Sequence, residues 1–191
     1  MKWSHGGVVA ATVAMLLTVV SPQSSAQVIN GGFETGDFTG WVQTGDVSFA
    51  GVDPSAARSG SFGAFFGPAD IGGISQSFAT IAGTPYQVSF SLALADSSAP
   101  NSFSWTWNGV AQSPSLSNAA AFAYTDFSSI VSATGASSTL AFNFRDPSSF
   151  WLFDNVVVTA IPELPVNALM GAGLLLVAGA LKRRGRPRVA Q

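Results

Sequence analysis

Along residues 27–160, large apolar side chains recur at every second position in short runs, with Ser, Gly, Asn and Pro between the runs. The pattern is clearest in Val88-Ser89-Phe90-Ser91-Leu92 and in Leu140-Ala141-Phe142-Asn143-Phe144. A period of two sends successive side chains to opposite faces of an extended strand, so one face of each run must meet a core. No stretch in this region carries an apolar stripe at helical spacing. The runs predict strands at 28–33, 47–51, 61–66, 74–80, 86–94, 103–107, 125–132, 140–145 and 150–159. Short strands in this number, without helices between them, predict an all-β fold, a β-sandwich rather than a βαβ sheet. Asn108-Gly109 follows an alternating run and predicts a hairpin turn, because both residues tolerate positive φ. In the segment 30–41, glycines permit tight turns while Phe33, Phe38 and Trp41 can pin the chain to the core.

The two ends read differently. An apolar run at 8–20 follows Met1-Lys2, and the small residues Ser24 and Ala26 precede Gln27. This is the pattern of a secretory signal peptide over residues 1–26, removed by signal peptidase. At the other end, Ile161-Pro162-Glu163-Leu164-Pro165 leads into an apolar stretch at 166–181 and a basic tail at 182–188. As a helix rising about 1.5 Å per residue, the stretch spans roughly 24 Å, and snorkelling cations extend its reach across a roughly 30 Å hydrocarbon core. Positive residues after the helix hold that end in the cytoplasm, which leaves the domain outside. The chain is therefore expected to be exported, with a transient inner-membrane anchor.

Charge changes the picture of the domain itself. Residues 27–160 hold Arg58 and Arg145 against nine carboxylates, and two minus nine leaves −7. The net charge of −2 for the whole chain hides this, since most cations lie in the C-terminal tail. So acidic a domain cannot neutralise a row of phosphates, which excludes nucleic acid as a partner. Without cysteine there is neither a disulfide framework nor a thiolate metal site. His5 is the sole histidine and leaves with the signal peptide, and no lysine lies between Lys2 and Lys182. Serine–histidine triads, histidine metal ligation, serine–lysine dyads and Schiff bases all fall away. A carboxylate pair of the glycosidase kind remains arithmetically possible. Yet most acidic residues sit in turn settings such as Gly45-Asp46, Asp53-Pro54 and Asp146-Pro147, so the domain reads as non-enzymatic. Phe103, Trp105 and Trp107 alternate with Ser102, Ser104 and Thr106, which puts three rings on one strand face. They serve either as sandwich core or as an exposed platform on which sugar rings stack.

The C-terminal segment 161–191 resembles the PEP-CTERM sorting signal of Gram-negative bacteria. The resemblance is carried by Pro162-Glu163, the Gly-, Ala- and Leu-rich stretch and Lys182-Arg183-Arg184, with Leu164 where a second proline is commonest. It implies processing by exosortase, a membrane-embedded cysteine protease that removes the helix, and a destination at the cell surface or outside the cell. Asn30-Gly31-Gly32-Phe33-Glu34 and the last strand around Asp154 look like the galactose-binding-like jelly roll of carbohydrate-binding modules. That likeness implies that Glu34 and Asp154 help to hold a structural Ca2+, as hard oxygen ligands suit. Read from the residues alone, Glu34 is equally a solvated turn residue and Asp154 a capping acceptor. The functional expectation is a non-enzymatic surface protein associated with exopolysaccharide or biofilm matrix. Its alternatives are a dedicated carbohydrate-binding module, with a polysaccharide ligand, and a small glycosidase.

Overall fold

The alternating runs resolve into ten strands in the computed structural model, which describes residues 28–162. In chain order these are β1 Val42–Gly45, β2 Ala50–Asp53, β3 Gly63–Phe66, β4 Gly72–Ala79 and β5 Pro85–Leu94. Then follow β6 Ser102–Trp107, β7 Val110–Ser117, β8 Phe122–Ser132, β9 Ser137–Arg145 and β10 Trp151–Ala160. One 3-10 turn, Pro54–Ala56, sits between β2 and β3. The strands form two five-stranded sheets, β1-β4-β9-β6-β7 and β2-β3-β10-β5-β8, and every pairing is antiparallel. The chain passes repeatedly from one sheet to the other, the course of a double-sheet jelly roll. The expected signal peptide, Glu163, the 166–181 helix and Lys182, Arg183 and Arg184 lie outside the described residues.

Aromatic side chains fill the space between the sheets. Tyr86, Val88, Phe90, Leu92 and Leu94 alternate inward along β5, where Phe90 meets Trp105 and Phe142 and Tyr86 meets Trp107 from the facing sheet. Phe66 stacks on Phe144 across the layers with centroids 4.0 Å apart, and Phe142 lies 4.6 Å from Phe153. Such pairs add to the burial term because the ring edge of one meets the negative face of another, or because offset rings stack.

Phe103, Trp105 and Trp107 belong to this core, at 1%, 0% and 3% exposure. The expectation that they could present an exposed sugar platform is thereby corrected. Strand β6 pairs with β9 and β7, so only its two faces can differ, and Ser102, Ser104 and Thr106 take the outer one. Turning the strand over would bury three polar side chains and leave the largest rings of the sheet in water.

Two further expectations change. Residues 28–33 form turns, not a strand, because Asn30 and Phe33 adopt φ of 52° and 56°. The segment is nevertheless anchored as its aromatics suggest. Phe33 is buried, and the Trp41 indole N–H donates to the Asn30 carbonyl. Gln76 of β4 accepts from the Ile29 N–H and donates to the carbonyls of Ile29 and Gly40. Strands β1 and β7 are both edge strands without a strong apolar face, which is why alternation did not reveal them. An edge also tolerates Pro114 within β7, since no central ladder needs its missing N–H. The hairpin is as expected: Asn108 and Gly109 have φ of 52° and 78°, and Trp107 pairs with Val110.

Candidate functional site

The outer face of the β2-β3-β10-β5-β8 sheet departs from the rule that an antiparallel sheet shows polar residues to water. Its strand register lines outward residues into three rows running across the strands. The middle row is Gly51, Phe65, Leu152 and Ala93, with Tyr124 beside Ala93 at an irregularity in the β5–β8 pairing. With strands about 4.8 Å apart, the row from β2 to β8 extends roughly 19 Å. Where it reaches β5 and β8 the surface sinks into a cleft of about 490 Å³, lined by Ala93, Ala95, Phe122, Tyr124 and Leu152 among others.

One bank of this trough is aromatic. Across the end of the sheet, Gly67 donates its N–H to the Phe49 carbonyl at 2.8 Å, and Ala95 donates to the Phe150 carbonyl at 3.1 Å. The Phe150 ring lies against Gly67, where a Cβ would come within 2.7 Å of it. Phe65 leans onto Gly51 in the same way, at 2.6 Å, and meets Phe150 edge-on with centroids 5.5 Å apart. Glycine at 51 and 67 is thus what lets two rings lie down on the sheet.

The other bank is polar. Asp53, Asp154, Ser91 and Asp126 make the third row. The Ser91 hydroxyl donates to Asp126 at 2.6 Å, and the Arg58 guanidinium approaches the same carboxylate at 3.7 Å. Pro54–Ala56 and the loop that follows cover part of this row, held by the Tyr124 hydroxyl donating to the Ala56 carbonyl at 2.5 Å. Burial pushes the Tyr124 phenol above its ordinary pKa, so it remains a donor at any physiological pH.

Glu34 and Asp154, far apart in sequence, meet on that loop. Asp154 is fully buried and accepts from the N–H groups of Arg58 at 2.8 Å, Ser59 at 3.1 Å and Asn155 at 2.6 Å. Glu34 accepts from Ser61 and Phe62, with oxygens 3.0–3.3 Å from their nitrogens. Burial outweighs these amide bonds and raises the Asp154 carboxyl above its usual pKa, with the Glu34 charge adding to the rise. Two carboxylates gripping one short loop, one of them desolvated, are the hard-oxygen donors that a divalent cation prefers. Among the described residues no third His, Cys, Asp or Glu joins them, so backbone carbonyls would have to complete such a shell. Of the sorting motif only Pro162 is described, following the last strand and exposed.

The trough residues Phe65, Tyr124, Phe150 and Leu152 escaped the alternation argument. Their signal was a break in it: Phe65-Phe66 and Phe150-Trp151-Leu152-Phe153 place large apolar residues on both faces of a strand.

No family model matches the chain, and no curated protein matches it either. Among solved structures it is similar to the CBM22-1 xylan-binding domain of Paenibacillus barcinonensis Xyn10C, at 19% identity and a TM-score of 0.52, over 75% of this chain and 100% of that one. A family 16 carbohydrate-binding module is similar at 17% identity and a TM-score of 0.50, over 69% and 97% of the two chains. The enzymatically active domain of bacteriophage CBA120 tailspike protein 4 is similar at 12% identity and a TM-score of 0.53, over 71% of this chain and 21% of that one. At such identities the likeness is one of fold, and the domain is a β-sandwich of the kind that carbohydrate-binding modules share.

Proposed function

We propose that the domain is a non-catalytic glycan-binding module, carried by an exported protein and serving a polysaccharide layer outside the cell. The observation that carries this reading is the trough: an apolar floor of Phe65, Leu152, Ala93 and Tyr124 between an aromatic bank and a polar bank on which Asp53, Arg58 and Asp126 are exposed. A pyranose has the matching division, with C–H groups on its faces and hydroxyls at its rim, so stacking and hydrogen bonding can act together. The fold shared with a xylan-binding domain supports the same reading. Glu34 and Asp154 are engaged by backbone amides in holding the loop above the trough, a positioning role rather than one in hydrolysis. We assign to the same pair a structural Ca2+, whose charge would offset two adjacent carboxylates and stiffen that loop.

Binding is tested by affinity electrophoresis of the mature protein through gels containing xylan and other neutral polysaccharides. Retardation by at least one is expected. Leu152→Asp, which sets a charge in the apolar floor, should weaken that binding by roughly tenfold or more. Migration unchanged in every gel overturns the reading.

Export and exosortase-type processing rest on the terminal patterns, the small residues before Gln27 and Pro162-Glu163 ahead of an apolar stretch and a basic tail. Mass spectrometry of protein from exosortase-containing cells should show Gln27 as the first residue and no trace of residues 166–181. Retention of that stretch sinks the processing claim.

A further inference from the structure

Among the described residues, six non-glycine residues adopt positive φ: Asn30, Phe33, Phe49, Asn108, Asn118 and Asn155. Four are asparagines, which tolerate this region, and Phe33 is locked in place by the core. Phe49 has neither excuse. Its φ is 55° and it is 72% exposed, so a bulky side chain sits in a strained conformation with little burial to compensate.

The strain is not needed to hold the loop. The backbone is fixed by the Gly67 N–H on the Phe49 carbonyl and by the Asp46 carboxylate, which accepts from Ser48 and from the Asp70 N–H at 3.1 Å. Glycine at 49 would keep every one of these bonds and remove the strain. What glycine would lose is the ring. That ring belongs to the residue whose carbonyl accepts from Gly67, the glycine against which the Phe150 ring lies.

Resting on the glycan-binding reading above, we infer that Phe49 and Phe150 form an outer stacking subsite for one further sugar ring of a neutral glycan, and that Phe49 retains its strained backbone for this contact. The ring is neutral because the cations cannot serve an acidic sugar there. The Arg145 guanidinium is turned to the Ala69 carbonyl, Arg58 faces Asp126, and Asp46 and Asp70 flank the loop. An anionic chain would meet carboxylates without compensation.

The test compares the protein with its Phe49→Gly and Phe150→Ala variants by titration calorimetry, using xylohexaose, cellohexaose and galactohexaose, the corresponding disaccharides, and polygalacturonate. Phe49→Gly is expected to melt at the same or a higher temperature, yet to bind the preferred hexaose about tenfold more weakly while leaving its disaccharide unchanged. Phe150→Ala should weaken the same hexaose. Unchanged hexaose binding by Phe49→Gly overturns the subsite and leaves the glycan-binding reading standing. A parent protein that binds none of the neutral sugars overturns both, and one that prefers polygalacturonate overturns the neutral assignment.

Discussion

Phe153→Ala is expected to cost about 3–5 kcal/mol, the range for truncating a fully buried phenylalanine, and so to remove a large part of a domain stability of typically 5–15 kcal/mol. Phe153 is the ring on which the core converges. It lies within 6.4 Å, centroid to centroid, of Phe33, Phe66, Phe90, Phe103, Phe142 and Phe144, which come from both sheets and from the N-terminal segment. Neighbours that are themselves rigid rings cannot collapse into the space, so the cavity term adds to the lost transfer energy. Thermal melts should show a fall of roughly 10 °C or more. A fall of only a few degrees would mean that the sheets can close over the gap.

The adjacent residue faces the opposite way and matters for the opposite reason. Asp154→Ala removes the buried carboxylate that accepts from the half-buried backbone N–H groups of Arg58, Ser59 and Asn155. At about 1 kcal/mol for each of three half-buried hydrogen bonds, the expected loss is about 3 kcal/mol. Glu34→Ala, which releases the exposed N–H groups of Ser61 and Phe62, should cost about 1 kcal/mol because water can replace the carboxylate. The pH dependence follows from the raised pKa of Asp154. A folded-state value above the unfolded one means that the group's contribution is fully present below the unfolded pKa and declines as pH rises through the folded value. The stability difference between the protein and Asp154→Asn should therefore widen as the pH is lowered into the carboxylate range. Calcium favours the ionised form and works against this trend. At neutral pH, millimolar Ca2+ is expected to raise the melting temperature relative to a chelator in the parent protein but not in Asp154→Ala. Identical melts in calcium and chelator would leave the amide clamp as the whole account of the pair.

Both predictions concern consecutive residues of one strand, and only one of their roles could be read along the chain. Phe153 takes part in an apolar run whose burial is expected from composition alone. Asp154 stood out as a carboxylate among apolar neighbours, but its partners are the amides of a loop about a hundred residues earlier. No local pattern encodes that meeting.

The sequence by itself determined the all-β class, the Asn108-Gly109 hairpin and the inward faces of β5 and β9, because period-two alternation and turn chemistry are local properties of the backbone. It also showed that Phe33, Phe38 and Trp41 could anchor a glycine-rich segment, as Phe33 and Trp41 do from turns rather than from a strand. Which aromatics face water was decided by the tertiary structure. The ladder Phe103, Trp105 and Trp107 alternates cleanly and became core, whereas Phe65 and Leu152, hidden in unbroken apolar runs, became the floor of an outer trough. Alternation states that two faces differ, but only the packing of one sheet on the other selects which of them is removed from water.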